Sequence, residues 1–369
     1  MISVFQPRLT IRDKLSVLNS LLRNEISGTS PIVKEFEQNT SSEFDRKYGV
    51  GVSNGSVALD LAFQLLDLEE KDEVILPSFT IISTLAAVIR SGATPVFCDV
   101  DKDSWNMTVE NVDKHINENT KAVLLVHTYG LPADAENLQK LCDEKSIVLI
   151  EDAAEAHGQS LNDIKCGSFG LISTMSFYAN KHVTTGEGGM ILTDNKEIYE
   201  NALKMRNLDF SQKRFQHNNL YWNYRLGGLQ AALGNSQLSG IKKVIEHKRV
   251  QGLIYNQLFK EHQDIIQVPL DSWNNSKNHY WVYGIVLKKE GIRDKIIEDL
   301  YNTGIETRPF FYPLHLQNAL PKELKKDLTL LVTENLGVNG LYLPLGSHVN
   351  KRNQKFIAET LISLINSYS

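Results

Sequence analysis

Between Tyr48 and Ile150 the sequence alternates short apolar runs with stretches whose apolar residues recur at helical spacing. Short runs that are almost wholly apolar are typical of strands covered on both faces. Their alternation with helices predicts right-handed crossovers and a mostly parallel, mixed sheet between layers of helices, an α/β fold. The predicted strands are Val50–Val52, Val74–Leu76, Pro95–Phe97, Ala122–Val126 and Ile147–Ile150.

Segments on either side extend this pattern. After Thr10, a favourable N-cap, apolar residues at helical spacing predict a first helix from Ile11 to Leu22. Further along, Thr174–Ala179 and Met190–Thr193 flank a glycine-rich stretch, which predicts two strands joined by a loop.

The C-terminal third indicates a separate unit. A helical stretch from Leu229 to Phe259 is long for one globular helix and contains three glycines, so we predict a bend near Ile241. We therefore expect a large domain, residues 1–240, and a smaller α+β domain, residues 241–369. In the second domain the patterns predict strands at His279–Leu287 and Ile305–Phe311, and helices at Ile292–Tyr301 and Phe356–Ile365.

Composition excludes several classes of partner. The chain has 369 residues, with 39 basic and 44 acidic side chains, so its net charge is −5 and no basic excess predicts binding to nucleic acid or to an anionic membrane. No apolar stretch reaches the ~18–20 residues that span a bilayer. The three cysteines match no metal-ligand spacing and their odd number disfavours a disulfide framework. We therefore expect no bound metal. The N-terminus has no signal-peptide pattern, so we expect a cytoplasmic protein.

Ligands of parallel sheets bind beyond the carboxyl ends of the strands, so the residues that follow each run are the candidates. After Val52 comes Ser53-Asn54-Gly55-Ser56, which opens a helix. Small residues let the backbone approach an anion, and the first amides of a helix point outward unpaired, which favours phosphate binding. The alternative is an ordinary N-cap.

The run that ends at Ile150 is followed by three acidic residues and His157. A buried carboxylate is unfavourable unless it meets a cation or a metal. The functional interpretations are a metal site, for which His127 is the obvious further ligand, or an ion pair to a protonated ring nitrogen. The alternative is that Asp152 caps the next helix.

Lys181 follows an apolar strand and precedes the glycine-rich loop. Burial disfavours a charged lysine, and a neutral amine in such a place can form a Schiff base. The alternative is a surface lysine at a hairpin turn. Taken together, a phosphate cradle, a strand-end aspartate and a strand-end lysine match pyridoxal phosphate (PLP) at its phosphate, its pyridinium nitrogen and its aldehyde.

With these residues the chain resembles the DegT/DnrJ/EryC1/StrS sugar aminotransferases, which are fold-type I PLP enzymes. The resemblance runs nearly end to end, and the strings that carry it are Ser53–Leu59, Glu151–Gly158, Phe177–Met190 and Glu306–His315. It is strongest to members that move the amino group of L-glutamate to C4 of GDP-4-keto-6-deoxy-D-mannose. Nucleotide sugars with thymine or uracil, and amination at C3, stay open as alternatives.

The resemblance also implies roles for single residues. Lys181 would be the Schiff-base lysine and the proton shuttle, and Asp152 would pair with the ring nitrogen. Gly55 and Ser56 would bind the cofactor phosphate through their amides, and Ser176 through its hydroxyl.

Further implied roles concern the partner subunit and the substrate. Asn223 would reach the phosphate bound by the partner subunit, which makes the protein a homodimer with shared active sites. Arg308, Tyr312 and His315 would lie near the sugar nucleotide.

Two positions depart from the family's pattern. Ile81 stands where many relatives place an aromatic residue that stacks on the cofactor ring. Glu155 stands where many have Gln near the phenolic oxygen of the cofactor, and because two anions repel, Glu155 is expected to turn towards another donor.

Rival interpretations are a PLP-dependent sugar dehydratase, whose lysine is replaced by histidine, and a non-catalytic nucleotide-sugar-binding protein. Lys181 argues against the dehydratase, and Lys181 together with Asp152 argues against the non-catalytic protein. A Rossmann dehydrogenase is excluded because no G-x-G-x-x-G follows the first predicted strand.

Overall fold

The computed structural model describes residues 1–210, 213, 215–325 and 327–368. The predicted domain ranges 1–240 and 241–369 also contain residues 211, 212, 214, 326 and 369, which lie outside the described residues. The helices are α1 Ile11–Leu22, α2 Pro31–Glu43, α3 Gly55–Gln64, α4 Ile82–Arg90, α5 Val109–Asp113, α6 Ala135–Lys145, α7 Lys196–Met205, α8 Gly228–Leu238, α9 Ile241–Leu258, α10 Arg293–Asn302, α11 Leu331–Asn339 and α12 Lys351–Ser367.

The strands fall into two larger sheets and two short hairpins. They are β1 Tyr48–Val52, β2 Glu73–Pro77, β3 Thr94–Cys98, β4 Thr120–Val126, β5 Val148–Asp152, β6 Ser160–Leu161, β7 Ile164–Lys165, β8 Ile172–Ser176, β9 Gly189–Thr193, β10 Ile266–Gln267, β11 Ser272–Trp273, β12 Ser276–Lys277, β13 Tyr283–Leu287, β14 Arg308–Pro309 and β15 Gly340–Leu343.

The large sheet has seven strands in the order β1-β9-β8-β5-β4-β2-β3. The pairs among β2, β3, β4, β5 and β8 are parallel, whereas β9 is antiparallel to both of its neighbours, β1 and β8. Because β9 alone is reversed, β1 runs in the same direction as the parallel strands. The mostly parallel, mixed sheet is therefore confirmed, and the residues after β1, β5 and β8 lie at one edge.

Helices cover both faces of this sheet. On β4, Leu124 packs in a cluster with residues of α3 and α4, whereas its neighbour Leu125 packs with residues of α5 and α6. Successive side chains of a strand point to opposite faces, so burial on both sides explains the continuous apolar runs. The first helix is confirmed, with Thr10 and Asp13 forming a capping box at its start.

The second sheet is antiparallel, in the order β10-β13-β15-β14, and α9, α10 and α12 pack against it around one apolar cluster. The predicted break near Ile241 is confirmed, because α8 ends at Leu238 and α9 begins at Ile241. The predicted strand at Ile305–Phe311 shortens to two residues. Pro309 has no backbone N–H to continue the ladder.

The first residues of the chain join this second sheet. Ile2 donates its backbone N–H to the carbonyl of Gly304 at 2.7 Å, and Val4 donates to Oε2 of Glu306 at 3.0 Å. By contrast α1 packs on α8, where the Ser16 hydroxyl donates to the carbonyl of Ala232. The chain thus starts on the small sheet before it enters the large one. Within the described residues, no helix is long and apolar enough to cross a membrane.

Candidate active site

The loop after β1 forms a cradle for an anion. The side chain of Asn54 accepts the amide of Val57 at 3.0 Å and caps α3. The amides of Gly55 and Ser56 belong to the first turn, where a helix leaves donors for a ligand. A Cβ on Gly55 would lie 2.7 Å from Cβ of Ser176, so only glycine lets α3 start this close to the end of β8.

Asp152 ends β5 and is 4% exposed. One of its oxygens accepts the amide of Ala154 at 3.1 Å. Burial raises the pKa of its carboxyl group, and the positive charges of Lys181 and His127 partly oppose this. Its neighbour on β8 is Thr174, whose buried hydroxyl lies beside this carboxyl group and lowers its pKa.

Lys181 follows β8 in a tight turn, in which its amide donates to the carbonyl of Tyr178. Its Nζ lies 3.5 Å from Oε1 of Glu155 and 3.8 Å from the centroid of the Trp281 ring, and its side chain is buried. Burial lowers the pKa of this amine, whereas the carboxylates of Glu155 and Asp152 raise it. The cleft therefore holds an amine that gives up its proton more readily than an exposed lysine does.

Glu155 turns to a donor of the protein, as the departure from the family's pattern predicts. Its Oε2 accepts the backbone amide of Tyr129 at 2.9 Å, and Tyr129 takes a left-handed conformation, φ 60°, just before Gly130. Burial raises the pKa of Glu155 to about 7, against the effect of Lys181. The carboxyl group can thus gain or lose a proton near neutral pH.

These residues line one cleft of about 550 Å³ between the two sheets. The predicted residues that it brings together are Gly55, Ser56, Asp152, Glu155, Ser176, Lys181 and Arg308, and the aliphatic Ile81 lies at its wall. Ile81 is the N-cap residue of α4 and is 43% exposed. The expectation from sequence that strand ends converge is met.

Three predicted site residues are absent from the cleft's described lining. Asn223 is exposed, and its side chain accepts the amide of Arg225. Tyr312 is 54% exposed.

The structure does not support a substrate contact by His315. This residue is buried, with Nδ1 2.7 Å from the Ser78 hydroxyl and Nε2 3.2 Å from Glu334. Both ring nitrogens are therefore occupied within the protein. The family resemblance of the Glu306–His315 string implied that His315 lies near the sugar nucleotide, whereas the short helical turn at Leu314–Leu316 directs it into the core.

Sequence reasoning missed other residues of the cleft, chiefly Thr174, Trp281 and Tyr342. Strand alternation offers a signal for Thr174, because it lies two residues before Ser176 and so shares its face. Trp281 lies just before β13 and Tyr342 lies on β15, at least 100 positions after Lys181, and local patterns give no signal for them.

A cluster of buried side chains next to the strand-end acids bears on the metal interpretation of this region. His127, Glu151 and Cys166 are buried with their ligand atoms within 4.8 Å of one another. The His127 ring is bonded at both nitrogens within the protein: Nδ1 accepts the backbone amide of Ala133 at 3.0 Å, and Nε2 donates to Oε1 of Glu151 at 2.8 Å. The ring therefore has no free lone pair to offer to a metal ion.

The residues in the cleft fit PLP. Gly55 leaves room for a phosphate at the helix start, Asp152 faces the cleft as a buried carboxylate, and Lys181 offers an amine with a lowered pKa. The hydroxyl of Thr174 lines the same cleft beside Asp152, within the part of the site that the ring would occupy.

Comparisons with known proteins agree with this geometry. The model of the DegT/DnrJ/EryC1/StrS aminotransferase family matches residues 10–362. The GDP-perosamine synthase of Escherichia coli O157:H7 is 35% identical over 361 residues, covering 98% of this chain and 97% of that protein. The GDP-perosamine synthase of Vibrio cholerae is 37% identical over 352 residues, 93% of this chain and 94% of that protein.

A solved structure gives the same fold. The aminotransferase TlmJ from Streptoalloteichus hindustanus superimposes with a TM-score of 0.93 at 27% identity, and each chain is covered completely. The chain belongs to the DegT/DnrJ/EryC1/StrS aminotransferase family, and it is a PLP-dependent sugar aminotransferase.

Proposed function

We propose that the protein transfers the amino group of L-glutamate to C4 of GDP-4-keto-6-deoxy-D-mannose, which yields GDP-perosamine. The observation that carries this proposal is a chain 35–37% identical, over almost its whole length, to two GDP-perosamine synthases. Its cleft also holds the buried amine of Lys181 between two carboxylates, which supports transamination.

Bound PLP would supply an electron sink for the carbon that loses its proton. Lys181 would take the proton from Cα of glutamate and, in the second half of the reaction, deliver a proton to C4 of the sugar. Asp152 would hold the ring nitrogen in its protonated form, because a nearby carboxylate favours the positive charge. The two half-reactions predict ping-pong kinetics.

The phosphate and the phenolic edge of the cofactor would meet different groups. Gly55 and Ser56 would offer backbone amides, and Ser176 its hydroxyl, to the phosphate. Glu155 would keep Oε2 on the Tyr129 amide and face the phenolic edge with Oε1 in a protonated or shared state, since its pKa is raised to about 7.

For the sugar nucleotide we propose Arg308 as the main contact. It lines the cleft with 42% of its side chain exposed, and its nearest carboxylate, Glu306, is 3.7 Å away. The guanidinium also lies 5.0 Å from the centroid of the Phe5 ring and beside the Tyr342 hydroxyl, and its exposed part can donate charged hydrogen bonds to a diphosphate. A contact by Tyr312 stays a prediction.

We also propose a homodimer with shared active sites. An apolar row on α1 is exposed at Ile11, Leu15 and Leu22, and Trp222, beside Asn223, is 69% exposed. A second copy would cover these apolar surfaces and bring Asn223 to its partner's phosphate. The three free cysteines support a reducing, cytoplasmic compartment.

The decisive experiment is incubation with L-glutamate and a panel of 4-keto-6-deoxy sugars linked to GDP, dTDP or UDP, with product mass as the readout. We expect amination of the GDP sugar, and NMR of the product would place nitrogen at C4. Amination of only dTDP or UDP sugars would overturn the GDP assignment. Lys181→Ala is the control, and near-normal turnover in that variant would contradict the role of Lys181.

The dehydratase alternative is tested on the same preparation. A visible absorption band that borohydride abolishes supports a lysine linked to the cofactor. His182 does not replace this lysine, because its Nε2 lies 3.2 Å from the carbonyl oxygen of His279 and its ring is 2% exposed.

A further inference from the structure

A second buried lysine lies behind the cleft. Lys248 is on α9, is 9% exposed, and donates from Nζ to the backbone carbonyl of Trp281 at 2.8 Å. In the parts of the chain that the structure describes, no carboxylate forms an ion pair with it. A buried ammonium group without a counter-ion is unfavourable, so a purely structural position would be filled better by an apolar side chain.

Trp281 connects this lysine to the reaction centre. Its ring centroid lies 3.8 Å from Nζ of Lys181, and its indole N–H donates to the carbonyl of Asn180 at 3.1 Å. Its own amide donates to the carbonyl of Tyr129, whose amide in turn holds Glu155. Lys248 is therefore bonded to the residue that touches both Lys181 and the backbone just before it.

The other titratable groups that face Lys248 are basic. His157 and His182 are buried, and burial lowers the pKa of His157 to about 3 and that of His182 well below its usual value. Burial and the charge of Lys181 lower the pKa of Lys248 to about 7. Arg8 and His247 line the small cavity that also reaches Lys181 and Lys248. No negative charge among these groups offsets a protonated Lys248.

We propose that Lys248 is a positioning residue for the reaction at Lys181: it fixes Trp281 against the amine, and its positive charge favours the neutral form of Lys181. This inference rests on the proposed role of Lys181 as the reacting amine. It goes beyond the proposed function in assigning part of that reactivity to a residue of the C-terminal unit.

The test compares Lys248→Met, which has neither charge nor donor, with Lys248→Arg, which keeps both. Lys243→Met is the matched control, because Lys243 is exposed on the same helix. Apoprotein is mixed with PLP at pH 6 and pH 9, the adduct is trapped with borohydride, and peptide mass locates the label. In Lys248→Met we expect PLP to label Lys181 about tenfold more slowly than in the wild type at pH 6. At pH 9 the two labelling rates should be much closer, because the amine of Lys248 in the wild type is then neutral.

The fully loaded enzyme gives the second readout. We expect Lys248→Met to lower kcat about tenfold with little change in KM, and Lys248→Arg to restore most of it. In a Trp281→Phe background the further effect of Lys248→Met should shrink, because the two residues act through one contact.

Several results would overturn the proposal. They are equal labelling rates at pH 6 in Lys248→Met and Lys243→Met, a failure of Lys248→Arg to restore labelling, or effects of Lys248→Met and Trp281→Phe that simply add. Since Lys248→Arg keeps the buried charge, it keeps the test open if Lys248→Met does not fold. Labelling of another lysine in the wild type would instead contradict the role of Lys181.

Discussion

Glu151 and Asp152 are adjacent on β5, and both are buried carboxylates, yet they are in opposite situations. Glu151 points away from the cleft and accepts hydrogen bonds from His127, the Ser173 hydroxyl and the amides of Gly167 and Phe169. Asp152 points into the cleft, where the Ala154 amide bonds one oxygen and burial raises the pKa of the group.

The difference shows how to distinguish a structural carboxylate from a functional one. Burial alone does not separate them, because both side chains are almost inaccessible. What separates them is whether the protein itself satisfies the charge. Glu151 accepts from an imidazole N–H, a hydroxyl and two amides, whereas Asp152 gains its best partner only when a cationic ligand enters the cleft.

The largest expected effect comes from Asp152→Asn. The amide keeps the shape and the bond to Ala154 but no longer favours a protonated cofactor nitrogen, so we expect kcat to fall by roughly 10²–10³-fold. Steady-state kinetics of PLP-loaded protein measures this effect. The melting temperature of the apoprotein should stay the same or rise, and a variant with half of the wild-type kcat would remove Asp152 from the mechanism.

Glu151→Gln should have the opposite effects, a loss of stability with little change in kcat. A neutral amide turns its NH₂ group towards groups that also donate and leaves buried donors around Glu151 without an acceptor, which we expect to lower the free energy of unfolding by about 3 kcal/mol. Urea denaturation measures the loss. Under conditions where the variant is folded, kcat per folded molecule should be near normal. A loss of kcat without a loss of stability would reverse our assignment of the two residues.

The pH dependence of stability tests Glu155. Because burial raises its pKa from 4.5 to about 7, the folded apoprotein binds a proton that the unfolded chain releases between these values. Stability from this group is complete below pH 4.5 and is lost as the pH rises towards 7. In Glu155→Gln we expect a smaller decrease of unfolding free energy over this window. Identical slopes in both proteins would mean that Glu155 is ionised throughout.

The smallest effect is expected from Thr174→Val. The hydroxyl is buried beside the Asp152 carboxyl group, so replacing it with a methyl group should lower apoprotein stability by about 1 kcal/mol at most. If the hydroxyl bonds the cofactor, PLP should bind about fivefold more weakly, the loss of one neutral hydrogen bond. Equilibrium titration by absorbance would show it, and unchanged affinity would make Thr174 a passive wall residue.

The part of the cleft contributed by the large sheet was predictable from sequence, because it depends on a local rule. Parallel strands end at one edge, so the residues after β1, β5 and β8 had to converge. Asp152 ends β5, Gly55 and Lys181 follow β1 and β8 within five residues, and their chemistry complements one cofactor.

The contribution of the second sheet was not predictable in this way. The strand expected at His279–Leu287 begins only at Tyr283, because Tyr280 takes a left-handed conformation and the amide of Trp281 bonds to Tyr129. This long-range pairing sets the indole beside Lys181. His315 fails for a similar reason, since only the folded chain shows that Ser78 and Glu334 occupy its ring.

The attachment of Ile2 and Val4 to the small sheet has a mechanical consequence. The backbone passes from the small sheet to the large one after Val4 and returns between α8 and α9. Between β14 and β15 it contacts the large sheet again, where Leu314 donates its amide to the carbonyl of Ser78. Attachments at several separate places oppose a free swing of the small sheet about any one of them. Cutting the chain after Val4 would remove one of these attachments and leave the others.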